Sequence, residues 1–169
     1  MPAQLLHMRI FPKVQDSGAD GIALEAALRY VLRMENTTFS SSAAGVRARR
    51  FADVPLTEKL ADVVSWLKEH KALNVVSIDL TGQAAFAEAL VIAGAGSVRH
   101  AQSLADSIGI LCRERRYEYL RMEGYTAGQW ILVDMNDIVV NIFQEPVRAL
   151  YGLENLWGRK PAGGTGNGE

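Results

Sequence analysis

Four groups of residues have types and spacings that could carry chemistry. Gly94-Ala95-Gly96-Ser97 precedes a stretch with helical periodicity. A helix N-terminus presents unpaired N–H groups and a positive dipole end, so such a turn could hold a phosphate. Its spacing is neither a dinucleotide fingerprint nor a P-loop, because no Gly-Lys-Ser/Thr follows. A Gly/Ser turn of this kind also occurs in nucleotidyltransferases, which then need an Asp-x-Asp pair for metal. The next strand-like stretch, Tyr117-Glu118-Tyr119-Leu120-Arg121-Met122, has no such pair. Ser97 is therefore read as a helix N-cap. Asp134 and Asp137 form the second group. Two carboxylates this close could bind Mg²⁺ or share a proton. Asp also satisfies turn N–H groups at hairpin ends, and turn chemistry is the preferred reading.

The histidines, His7, His70 and His100, are scattered, and no Cys/His spacing fits zinc. The Gly-x-Ser-x-Gly elbow of a serine hydrolase is absent. Cys112 falls on the apolar face of its helix and reads as packing. The fourth group is aromatic: Trp130, Phe143, Tyr151 and Trp157. Core packing is the expectation for Phe143 and Tyr151. Trp130 opens a strand after Ala127-Gly128-Gln129, and for it core and contact surface both remain open, since Trp is enriched among binding anchors.

These residues must be positioned by a small set of elements. Leu56, Leu60, Val63, Val64 and Leu67 recur at helical spacing, predicting a helix over about 58–70 with Thr57 as N-cap. Asn74 to Leu80 is short and β-branched and predicts a strand that Gly82 ends. Ala89 to Ala93 reads as a buried strand. A helix over about 98–115 would pack through Val98, Ala101, Leu104, Ala105, Ile108 and Cys112. Strands over about 117–122, 129–134 and 137–143 follow. The last two should form a tight hairpin at Met135-Asn136, because Asn tolerates the left-handed backbone of such a turn. A short helix near 145–153 ends the domain. The pattern implies helices packed on a mixed β-sheet, an α/β (α+β) arrangement.

Residues 1–55 read as an N-terminal extension. Asp20 could cap a short helix bearing Leu24, Leu28, Val31 and Leu32, and the Ser/Thr/Ala run from Asn36 to Ala44 is a linker. Arg47, Arg49 and Arg50 read as a solvated basic stretch rather than an RNA contact, and Met34 offers an alternative start. Residues 158–169 are glycine-rich and expected to be disordered. Charge is divided between these parts. From Glu58 to Trp157 there are 13 acidic and 9 basic side chains, while residues 1–50 hold 7 basic and 4 acidic. The acidic balance of the main region does not fit a direct phosphate-backbone binder and suits a basic protein partner. The single cysteine fits a reducing compartment, and no apolar run is long enough to span a membrane. Residues 29–50 are Arg- and Ser-rich, as transit peptides are, but four acids lie within the first 50 residues. A cytoplasmic location is expected.

Several blocks together resemble the ribosome silencing factor (Iojap-like) family. They are Asn74-Val-Val-Ser-Ile-Asp-Leu80; Ser97-Val-Arg-His100 with Ala105-Asp106; and Glu123-Gly124 followed by Trp130 through Asp134-Met-Asn-Asp137. The closing block contains Glu145, Arg148, Tyr151, Leu153-Glu154 and Leu156-Trp157. The match is ordered over residues 56–157, the expected domain. The resemblance implies a nucleotidyltransferase-like fold without catalytic acids, no cofactor, and no enzyme activity. It implies binding to the large ribosomal subunit through ribosomal protein L14, which obstructs joining of the small subunit and lowers translation when nutrients are scarce. It also allows a homodimer. Trp130 falls on the family tryptophan implicated in the contact, with Asp134, Asn136, Asp137 and Tyr151 as further partner-binding candidates. The chain departs from the family pattern at Ala93-Gly94-Ala95-Gly96, at Ala87-Glu88-Ala89-Leu90, and at Asn141, where the family has histidine. The alternative reading is a nucleotide-binding or nucleotidyltransferase enzyme built on the Gly94–Ser97 turn.

Overall fold

The computed structural model describes residues 54–81 and 87–154. The expected helix near residues 20–33, the basic stretch at 46–51, Gly82, Trp157 and the glycine-rich tail all lie outside them.

Three helices and five strands are described, in the order α1 (Leu56–Glu69), β1 (Leu73–Asp79), β2 (Ala89–Ala95), α2 (Val98–Arg115), β3 (Arg121–Glu123), β4 (Trp130–Asp134), β5 (Ile138–Gln144) and α3 (Glu145–Tyr151). The strands form one mixed sheet in the order β1-β2-β5-β4-β3. β2 and β5 run parallel at its centre, and the remaining pairs are antiparallel. The two central strands are buried on both faces, in keeping with their largely apolar sequences.

Alternation assigns the two faces. Ala89, Val91, Ala93, Ile131, Val133, Ile138, Val140 and Ile142 pack with Val63 and Leu67 of α1 and with Ala101, Leu104, Ala105, Ile108 and Cys112 of α2. The indole N–H of Trp66 donates to the Ser107 carbonyl at 2.9 Å and so ties the two helices together. Leu90, Ile92, Trp130, Leu132, Val139, Asn141 and Phe143 occupy the opposite face and are also buried. Each aliphatic side chain so buried contributes about 1.5–3 kcal/mol.

The helix and strand order agrees with the sequence reading, and four details differ. α1 begins two residues earlier than expected. Pro55 stands at its N-cap with no side-chain bond, and the Pro55 carbonyl accepts the N–H groups of Glu58 and Lys59. Thr57 therefore lies inside the first turn. Val98, the first residue of α2, is 38% exposed and leaves its packed face. The expected strand 117–122 contracts to β3. Its first half is anchored by side chains instead: Tyr117 Oη–H donates to Asp62 at 2.7 Å, and Glu118 accepts from Asn136 Nδ2 at 2.6 Å. Finally, an irregular register between Leu73 and Val76 interrupts the β1–β2 ladder, with Asn74 at φ 46°.

Candidate functional site

The five candidate residues sit on the β4–β5 hairpin and on α3, in two groups. Trp130 and Tyr151 occupy the open end of the hairpin. Asp134, Asn136 and Asp137 occupy its turn. Four residue steps along β4 separate Trp130 from Asp134, which is roughly 14 Å of strand.

At the open end, Trp130 pairs with Phe143 across the ladder. Their rings stack at 4.8 Å, and Tyr151 lies 5.3 Å from the indole. The indole N–H donates to Asn141 Oδ1 at 2.9 Å. Trp130 is 2% exposed and Tyr151 7%. The question left open by the sequence is thereby answered for this conformation: the Trp130 side chain belongs to the core, and a partner could touch the indole only if its cover moved. Asn141 Nδ2 and Tyr151 Oη are buried and have no hydrogen-bond partner among the described residues. Burial pushes the Tyr151 phenol above its ordinary pKa.

α3 is held against this cluster by Arg148. Its guanidinium meets Glu154 Oε1 through Nε at 2.7 Å and Nη2 at 2.6 Å, and Nη1 donates to the Leu73 carbonyl at 3.3 Å. Glu145 fills the space above Gly94, where a Cβ would collide with its carboxylate.

At the turn, Asn136 adopts φ 76°, the left-handed conformation expected of it. Its N–H donates to Asp134 Oδ1 at 2.9 Å. The other Asp134 oxygen lies 3.6 Å from Arg121 Nε. Asp134 thus does turn chemistry. Asp137 does something the sequence reading missed: its Oδ2 is paired with Lys59 Nζ at 2.7 Å, at 6% and 2% side-chain exposure. Lys59 lies 5.4 Å from the centre of the Tyr117 ring. A signal was present, because Lys59 stands four residues before Val63, in line with Val63 and Leu67 on the buried stripe. Among the described residues, no group of three or more His, Cys, Asp or Glu side chains is arranged to hold a metal ion.

The Gly94–Ser97 turn is closed by its own side chains. Ser97 Oγ accepts the His100 N–H at 3.1 Å, the N-cap bond expected. His100 Nδ1 accepts the Gly96 N–H at 3.2 Å, which leaves Nε2, at 3.3 Å from the His70 carbonyl, as the donor. The N–H groups of Gly96 and His100 that a phosphate would recruit are already bonded.

Known proteins resemble the chain over this same region. The family described as "Ribosomal silencing factor during starvation" matches residues 54–167, which takes in the whole sheet and all three helices. The chain belongs to this family of ribosomal silencing factors. A protein named ribosomal silencing factor RsfS from Halalkalibacterium halodurans is 34% identical over 104 residues, covering 62% of this chain and 89% of that protein. Its namesake from Bacillus subtilis is 31% identical over 93 residues, 55% of this chain and 79% of the relative. A mouse protein named mitochondrial assembly of ribosomal large subunit protein 1 is 26% identical over 98 residues, 56% of this chain and 43% of that protein. A crystal structure of a Chromobacterium violaceum protein aligns with TM-score 0.61 at 27% identity, covering 67% of this chain and 95% of that one. One from Bacillus halodurans aligns with TM-score 0.55 at 32% identity over 60% and 94% of the two chains. The ribosomal silencing factors among these relatives carry the names of regulatory factors, not of enzymes.

Proposed function

We propose that this protein represses translation by binding the large ribosomal subunit through ribosomal protein L14 and sterically blocking the small subunit, in the cytoplasm and under nutrient limitation. Family membership over residues 54–167 is the observation that carries the reading. The mouse relative's name adds support, since it places that protein with the large subunit. Charge is consistent with a basic ribosomal protein as partner, given the acidic excess of the region from Glu58 to Trp157.

In this reading the β4–β5 hairpin forms the centre of the contact. Trp130 and Tyr151 hold its open end from beneath, and Asn136, half-buried at the turn, is the most accessible of the five candidates. Asp134 and Asp137 keep the turn in shape through the Asn136 N–H and Lys59.

A light-scattering assay of subunit joining tests the mechanism. Adding the protein to purified large subunits before small subunits should lower the joined fraction in proportion to occupancy. Large subunits lacking L14 should neither bind nor respond. Unaltered joining at saturating protein, or equal binding without L14, contradicts the proposal.

A further inference from the structure

A second surface lies on the helix side of the sheet, away from the face that holds Trp130. An open groove of about 790 Å³ runs between α2 and the arm leading into β3. Asp106, Gly109, Ile110 and Arg113 form its α2 wall, and their spacing puts them on one helix face. The opposite wall is the arm from Tyr117 to Met122.

Three apolar side chains stand exposed here: Ile110 at 39%, Tyr119 at 42% and Leu120 at 47%. Single exposed apolar residues are ordinary, but a contiguous set lining one groove marks an interaction surface. Gly109 adds to this. It sits inside an 18-residue helix, where glycine costs about 1 kcal/mol relative to alanine. A Cβ there would meet nothing within 4 Å. The described neighbours therefore do not require glycine, and the bare backbone leaves room for something to approach α2 closely.

The charges indicate what would fit. The carboxylates at the groove are already engaged: Asp106 accepts from Tyr125 Oη–H at 2.9 Å, and Glu118 from Asn136 at 2.6 Å. Arg113 and Arg116 line the groove at the C-terminal end of α2, and among the described residues neither has an ion-pair partner. β3 borders the groove and pairs with β4 along one edge only. Among the described residues no strand lies beyond it. Arg121, which could guard that edge, is directed to Asp134 instead.

We propose that this groove docks an extended, acid-bearing segment of a second protein, added as a strand to the open edge of β3. Apolar side chains of the segment rest on Ile110, Tyr119 and Leu120, and its carboxylates meet Arg113 and Arg116. This is strand addition between a sheet edge and a helix, in which main-chain bonds hold the peptide and side-chain sites select it. The proposal does not depend on the ribosomal reading: the Trp130 cluster lies on the other sheet face, and the hairpin turn meets the groove only where Asn136 bonds to Glu118.

The test titrates the ¹⁵N-labelled full chain with an octapeptide of alternating Val and Thr that closes on Asp-Glu. Saturable amide shifts confined to residues 106–123 and the facing part of β4 are expected. Affinity should fall about tenfold or more when the peptide acids become Lys, when its alternate amides are N-methylated, and in the Arg113→Glu/Arg116→Glu variant. Leu120→Asp, at an exposed position, should melt like the parent and bind at least tenfold more weakly. No shifts at millimolar peptide, shifts centred on β1 or the Trp130 cluster, or indifference to both charge reversal and N-methylation overturns the proposal. So do concentration-dependent shifts of the groove amides without peptide, which would make the groove a contact between copies of this chain. Pelleting of the Arg113→Glu/Arg116→Glu variant with large subunits should match the parent. A loss there would fold the groove into the ribosomal contact and overturn its assignment to a separate partner.

Discussion

Trp130 shows how one side chain can be flagged by sequence while its surroundings stay hidden. Its place at the head of a strand is visible in the sequence, but its cover is not. That cover comes from Tyr151, more than twenty positions later, and from a hydrogen bond to Asn141 across the hairpin. A buried tryptophan truncated to alanine loses about 3–5 kcal/mol of folding stability. Trp130→Ala should therefore lower the melting temperature by about 10 °C or more. Urea denaturation and large-subunit binding measured on the same sample separate the alternatives. A variant as stable as the parent that no longer binds would restore Trp130 as a direct surface anchor. Cys112 and Tyr117 give a second residue-level expectation. Burial pushes the Cys112 thiol from 9.0 up to about 11. Burial first, and then the bond to Asp62, push the Tyr117 phenol from 10.0 up to about 12. Folded-state values raised in this way add stability that is complete below the unfolded pKa and is lost as pH rises through the folded one. The melting temperature should hold steady, as far as these two groups are concerned, up to about pH 9, then decline between about pH 9 and 12. Cys112→Ala and Tyr117→Phe should each flatten that decline; an unchanged slope in both contradicts the assignment.

The elements were largely legible, because their signals are local. The apolar run at 89–93, the helical stripe at 98–115 and the Asn136 turn each carry their own period or backbone preference, and each appears where expected. What was not legible depends on contacts between distant elements. The arm at 117–120 has the composition of a strand, yet Tyr117 bonds to Asp62 of α1 and Glu118 to Asn136 of the turn, and only Leu120 donates its N–H to β4. Lys59 is the clearest case. Taken singly, a lysine on an amphipathic helix is a solvated residue, and only the fold brings it to Asp137, 78 positions away. The pair locks α1 to the hairpin, and removing one partner should leave the other charge buried. Lys59→Met alone is expected to cost about 3–5 kcal/mol. The double change Lys59→Met/Asp137→Leu should be less destabilising than the sum of the two single changes, by a coupling of about 1 kcal/mol or more in urea denaturation. Additive effects would mean that the two groups do not depend on each other for burial.

At the scale of the molecule, the residues that build the sheet and its helices are also those that match the family, from 54 onward. The closing residues of the family pattern, Leu156 and Trp157, and everything before Val54 lie outside the described structure. A chain cut to residues 52–157 should melt as a cooperative unit and bind within about tenfold, or 1.4 kcal/mol, of the full chain. Aggregation, or a larger loss of binding, would assign residues 1–51 or 158–169 a part in the domain or its contact. The central claim is that this protein acts on the large ribosomal subunit. Its most direct test is sedimentation of the full chain through a sucrose cushion with separated ribosomal subunits. Saturable co-pelleting with the large subunit and none with the small is the result expected. Failure to pellet with the large subunit, or equal pelleting with both, would contradict the account.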